Sequence, residues 1–200
     1  MIKICLDYLF KKDKRLMKDS IILFFAVLFL NIMGYIFHFF VGRTLGPADY
    51  GIFGAIMSLI YIITVPMNTL QTSITKFTSN FKVHNETGKI AYLFKKSVRM
   101  FLIFSLIATF LFMILSPFLA SFMNIEKISP FLFVGLFLFF ALLLPINRGI
   151  MQGLQNFNSL GWNYCTEGII KISIGILFVY LWGLNGAVLA FGVSYLVPFF

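Results

Sequence analysis

Arg148, Glu167 and Lys171 are ionisable residues set inside stretches that otherwise carry almost no charge. Glu167 and Lys171 are four residues apart, and Asn163 precedes them by another four, so a helix would place all three on one face. Arg148 stands near the end of the preceding apolar stretch, one short turn away. Charged side chains inside a membrane are costly and usually face a bundle interior or a wet cavity. Two cations and one carboxylate leave a net positive charge. That suits either a network tying two helices together or a site for an anionic headgroup carried on a lipid, and both readings stay open.

Other polar residues repeat at helical spacing. Asn31, Tyr35 and His38 form one stripe, and Thr64, Asn68, Gln71 and Thr75 form a second. Arg148, Gln152 and Gln155 form a third. A single Asn or Thr in a span is explained by an interhelical hydrogen bond, worth about 0.6 kcal/mol. Stripes on four helices suggest the walls of a polar cavity. The candidate binding residues are therefore Arg148, Lys171, Glu167, Asn68, Gln71, Asn31 and Gln152.

Catalytic chemistry finds no comparable constellation. The chain has no GxxxxGK[ST] phosphate loop, HExxH pair or GxSxG elbow. Its two Cys, Cys5 and Cys165, and its two His, His38 and His84, lack metal-ligand spacing. No catalytic residue, metal or cofactor is expected, and a non-enzyme is the reading. A glycan-transferring membrane enzyme would need acidic residues at a membrane face, where Asp49 and Glu126 have no evident partners.

The elements that must position these residues are membrane spans. Apolar residues make up 60% of the chain and charged ones 12%, too few to cover a soluble surface of this size. Runs such as Ile21–Val41 and Met100–Phe118 are long enough to cross a hydrocarbon layer of about 30 Å. The expected fold class is all-α, a polytopic membrane protein with about six spans. They cover roughly 20–41, 51–75, 96–119, 131–152, 163–182 and 187 onward. Twelve of the 16 basic residues lie in alternate hydrophilic segments: six in the leader 1–19, and Lys76, Lys82, Lys89, Lys95, Lys96 and Arg99 around the second gap. The positive-inside rule then puts the N-terminus in the cytoplasm, the two thiols in a reducing compartment, and the protein in the cell membrane. The net charge of +9 is spent on this bias, and no domain remains to bind nucleic acid. The N-terminal apolar run is too long for a cleavable signal.

The segment GRTLGPADYGIFG, Gly42–Gly54, interrupts two apolar runs. Pro47 disfavours helix at Gly46, Gly46 and Gly51 permit unusual backbone angles, and Asp49 suits the start of the next helix. It reads as an outside turn, and pairing of Arg43 with Asp49 would make it part of an external gate.

This segment, with R-x-LG-x-x-x-YG at Arg43–Gly51, and the block NRGIMQGLQNFNSLGWNYCTEGIIK at Asn147–Lys171 resemble the polysaccharide-type flippases. These are the lipid-linked oligosaccharide exporters of the multidrug/oligosaccharidyl-lipid/polysaccharide exporter superfamily. The resemblance covers nearly all of the chain but only the first half of the family's length. It implies that residues 20–200 are the N-terminal lobe of a two-lobe transporter, with the C-terminal lobe missing and the VPFF terminus falling short of the natural end. It further implies alternating access, a lipid-linked glycan as substrate, and glycan-assembly enzymes as partners. Lys171 stands where Arg is common in the family, which exchanges a bidentate grip for a point charge. A cation-coupled multidrug or toxin exporter of the same fold, or a structural or assembly subunit, remains the alternative.

Overall fold

The computed structural model describes the backbone of residues 2–199 and the side chains of residues 17–199. The side chains of most of the basic leader, and Cys5, thus lie outside the described residues. Four long helices run in order: α1 (Ile2–Val83), α2 (Thr87–Phe122), α3 (Ser129–Gly153) and α4 (Phe157–Leu196), followed by a short 3-10 turn at Val197–Phe199. All four are long and apolar enough to cross a membrane. The chain is therefore an all-helical membrane protein, as expected, but the expected count of about six helices is not matched.

The difference arises at two glycines. Gly46 interrupts α1 with φ 77° and ψ 175°, and Gly183 interrupts α4 with φ 55° and ψ −127°. Both are positive-φ conformations that a side chain disfavours. The chain folds back at each one. In a straight helix His38 and Phe53 would lie about 22 Å apart, at ~1.5 Å per residue, yet their ring centroids are 5.3 Å apart. Lys171 and Phe191 would be about 30 Å apart on the same rise, yet the Lys171 ammonium lies 4.6 Å from the Phe191 ring centre. No loop separates the two limbs at either glycine, so each folded pair counts as one helix.

The three other turns share one device. Asn85, Asn124 and Gln155 adopt left-handed φ of 56°, 55° and 57°. In each case the next residue's N–H donates back to the helix: Glu86 to Phe81, Ile125 to Ala120 and Asn156 to Met151, all at 2.9 Å. This is the Schellman arrangement, which satisfies helix-end carbonyls that would otherwise lack partners. The hydrophilic segment Asn80–Lys89 between the second and third expected spans is mostly helical, with only His84, Asn85 and Glu86 outside a helix. Gln155 likewise leaves the polar stripe of α3 and becomes a turn residue. Asn156 then caps α4, its Oδ1 accepting from Ser159 N–H at 3.3 Å.

Cross-links sort the turns between two ends of the bundle. At one end Lys127 Nζ pairs with Asp49 Oδ1 at 2.7 Å, and Ser129 lies 3.0 Å from Asn185. At the other Lys82 Nζ donates to the Leu154 carbonyl at 2.6 Å and to Gln155 Oε1 at 3.1 Å. Between the ends α1 packs against α3 and α4, and α2 packs chiefly on α3. The core joins Phe37, Phe53, Phe131, Val134 and Val188, all essentially without exposed surface. Lipid tails are as apolar as these side chains, so close packing rather than water exclusion holds the interior together.

Candidate functional site

Helix α3 delivers Arg148 and helix α4 delivers Asn163, Glu167 and Lys171 from successive turns of one face. Arg148 Nη2 donates to Glu167 Oε2 at 2.6 Å, and Arg148 Nε donates to Asn163 Oδ1 at 2.7 Å. The other carboxylate oxygen, Oε1, accepts from Lys171 Nζ at 3.0 Å. All three charged side chains are buried, Glu167 most completely at 2% exposure. One carboxylate thus bridges two cations, which offsets much of the cost of burying them while leaving the group net positive.

Aromatic faces complete the enclosure. The Arg148 guanidinium stacks 4.2 Å from the centre of the Tyr164 ring, and Lys171 lies between Phe191 at 4.6 Å and Tyr195 at 5.9 Å. Such contacts favour a cation whose water has been removed. Asn163 Nδ2 donates to the Pro198 carbonyl at 2.6 Å, tying the end of the described chain to the cluster.

Arg148 also lines a small cavity with Thr64, Asn68, Gln71 and Tyr195, of about 70 Å³. That is room for about two water molecules at roughly 30 Å³ each. Beside it Gln71 Nε2 donates to Gln152 Oε1 at 3.1 Å, and Thr75 Oγ1 lies 2.8 Å from the Gln71 carbonyl. The structure therefore gathers six of the expected residues, Arg148, Glu167, Lys171, Asn68, Gln71 and Gln152, into one polar region. Asn31 is not among them. It is exposed and lines a separate groove on α1 with Ser20 and Phe24. His38 lies against Tyr50, Phe53 and Phe191, in an aromatic setting.

At the turn, Gly46 carries the break as expected, whereas Gly51 is an exposed residue within the helix that follows. Asp49 pairs with Lys127, from the α2–α3 turn, and not with Arg43, the alternative pairing that would have made the turn part of a gate. Arg43 is exposed. Sequence spacing also missed Tyr164, Phe191 and Tyr195. An aromatic residue in an apolar span has no signal of its own, although Tyr164 sits three residues before Glu167, one turn away on the same helix.

Chemically the cluster can hold an anion or bind helices together. Among the described residues no group of three or more His, Cys, Asp or Glu is placed to ligate a metal.

The chain spans less than half the length of the proteins it matches. It is 25% identical over 188 residues to an uncharacterised membrane protein of Methanocaldococcus jannaschii, covering 91% of this chain and 43% of that one. Its fold matches a solved MOP superfamily transporter of Pyrococcus furiosus with a TM-score of 0.80 at 17% identity, covering 93% of this chain and 43% of the other. For that transporter a binding pocket of reversed polarity is taken to suggest a different function. The family described as polysaccharide biosynthesis protein matches residues 16–200. With that match over nearly its whole length, and a fold shared with a MOP superfamily transporter, this chain belongs to the polysaccharide biosynthesis protein family of membrane proteins.

Proposed function

We propose that residues 20–200 form one lobe of a transporter that flips a lipid-linked oligosaccharide or polysaccharide precursor by alternating access. The two interruptions at Gly46 and Gly183 make six membrane crossings of the four helices. The N-terminus is cytoplasmic, the membrane is the cell membrane, and glycan-assembly enzymes supply the substrate. The lobe binds and moves its substrate without catalysing a reaction.

The observation that carries this reading is the buried, net positive Arg148–Glu167–Lys171 cluster beside a cavity lined by Thr64, Asn68 and Gln71. A diphosphate linker carries at least two negative charges, and attraction between opposite charges grows several-fold as water is excluded. Amide and hydroxyl groups along the same wall suit sugar hydroxyls. A cation-coupled drug exporter would call for an available carboxylate, and Glu167 already serves both Arg148 and Lys171.

Binding of a fluorescent polyprenyl-diphosphate oligosaccharide to the purified chain in detergent tests the proposal, with the uncharged polyprenol as control. The diphosphate should bind and the alcohol should not, and Lys171→Gln should weaken binding at least tenfold in folded protein. Equal binding of both probes would leave the cluster a purely structural brace. Residues 1–200 alone, reconstituted in vesicles, should move no glycan, because rocking access needs two bundles around one site.

A further inference from the structure

An apolar crevice of about 610 Å³ opens between α1 and the start of α4, away from the polar cluster. Its α1 wall is Ile21, Ile22, Phe25, Leu28, Phe29 and Ile32, and its α4 wall includes Asn158, Trp162 and Cys165. At its floor the helices close together over small residues: a Cβ on Gly161 would meet Ile22 at 3.3 Å and Ala26 at 3.6 Å. The volume is that of a ligand site rather than a packing defect.

The lining itself carries no charged residue, and Lys18 stands just before its Ile21 end. Lys18 precedes Ile21 and Ile22 by three and four residues, on the same face of α1, and in the sequence Lys14 and Lys11 precede it at helical spacing. Lys18 is exposed and makes no hydrogen bond or ion pair among the described residues. Asp19 is off this face by a little over a quarter turn. On the facing wall Asn158 offers an amide near the α4 N-terminus, and Trp162, 71% exposed, stands one turn further in. Tryptophan is enriched where headgroups meet hydrocarbon, and Trp162 is the sixth residue of α4.

We infer that this crevice is a binding site for an anionic membrane phospholipid, with an acyl chain between Phe25 and Trp162 and the phosphate at Lys18. A hydrocarbon slot alone would accept any lipid. The exposed Lys18, one turn before Ile21 and Ile22 on the α1 wall, is what selects charge, because basic groups beside membrane helices hold anionic headgroups. The lipid fills the seam between the first limb of α1 and α4, and so braces the helix that carries Glu167 and Lys171. This site is independent of the polar cluster and of what that cluster binds.

Trp162 is a built-in reporter, since the only other tryptophan, Trp182, is at the far end of the first limb of α4. The Trp182→Phe chain would be reconstituted in vesicles of mixed phosphatidylcholine and phosphatidylglycerol, with bromine on the acyl chains of one lipid or the other. Brominated phosphatidylglycerol should quench Trp162 at least twofold more than brominated phosphatidylcholine at equal mole fraction. Lys18→Gln with Lys14→Gln should abolish that preference. A chain keeping only Trp182, made by Trp162→Phe, should show none. Equal quenching by both lipids, no quenching by either, or a preference that survives the lysine changes would each overturn the site. So would displacement of the quencher by a polyprenyl-diphosphate glycan but not by unlabelled phosphatidylglycerol.

Discussion

Arg148 Nη2 and Glu167 Oε2 are 2.6 Å apart, across 19 residues of sequence and between two helices. The contact fixes how α3 meets α4 at the depth where the cavity opens. Glu167 is shared with Lys171, so the three residues act as a unit and single removals should not add.

Removing the shared carboxylate is the harshest change to that unit. Glu167→Gln leaves two buried cations without a counter-charge and should cost about 3–5 kcal/mol. Glu167→Gln combined with Lys171→Gln should recover part of that loss. Unfolding of the purified protein in mixed detergent micelles, monitored by circular dichroism, measures both. A Glu167→Gln chain as stable as the parent would mean the cluster is hydrated rather than buried.

Lys171→Arg separates a headgroup role from a brace. It keeps the charge and should keep diphosphate binding within a few-fold, while Lys171→Gln should not, with expression maintained in both. If Lys171→Gln lowers expression and binding together, and added Glu167→Gln restores both, Lys171 serves only the fold.

Gly149 and Gly153 let α3 lie directly on α1. A Cβ at Gly149 would come 2.9 Å from the Gln71 carbonyl, and one at Gly153 would come 2.8 Å from the Thr75 carbonyl. Backbone cannot move aside as a flexible side chain can, so Gly149→Ala and Gly153→Ala should each cost about 1–3 kcal/mol. They should also break the Gln71–Gln152 bond. Gly88→Ala, in the first turn of α2, meets nothing within 4 Å and is the control; it should change stability by no more than about 0.5 kcal/mol.

Gly46→Ala should destabilise for a different reason. No atom lies within 4 Å of its missing Cβ, but φ of 77° with ψ of 175° is open essentially only to glycine. The strain should cost about 1–3 kcal/mol. Gly34, equally uncrowded but helical, should tolerate Ala without loss. Equal tolerance at both positions would mean that the turn does not require this conformation.

Topology is testable at the two ends of the bundle. In a chain with Cys5→Ser and Cys165→Ser, Asp49→Cys should react with an impermeant thiol reagent added outside cells, and Lys89→Cys should react only after permeabilisation. The reverse pattern would invert the orientation. Asp49→Cys also removes the pair with Lys127, but both side chains are partly exposed, so the cost should stay below about 1 kcal/mol.

The sequence by itself determined the features that depend on neighbouring residues. Hydropathy over about 20 residues marks each crossing, because hydrocarbon thickness sets a length. Gly46 followed by Pro47 marks the first reversal, because backbone sterics act within two residues. The i, i+4 spacing of Asn163, Glu167 and Lys171 gives their common face. It could not say which groups meet through space. Asp49 bonds to Lys127, 78 residues away, rather than to Arg43 six residues away, because the turn directs it across the bundle end. Asn31 had the same local signal as Asn68, yet one faces a groove on α1 and the other a cavity beside Arg148. Periodicity gives the angle of a side chain around its own helix. What stands opposite that angle is decided by how the helices cross, and here that depends on the close approach at Gly149 and Gly153.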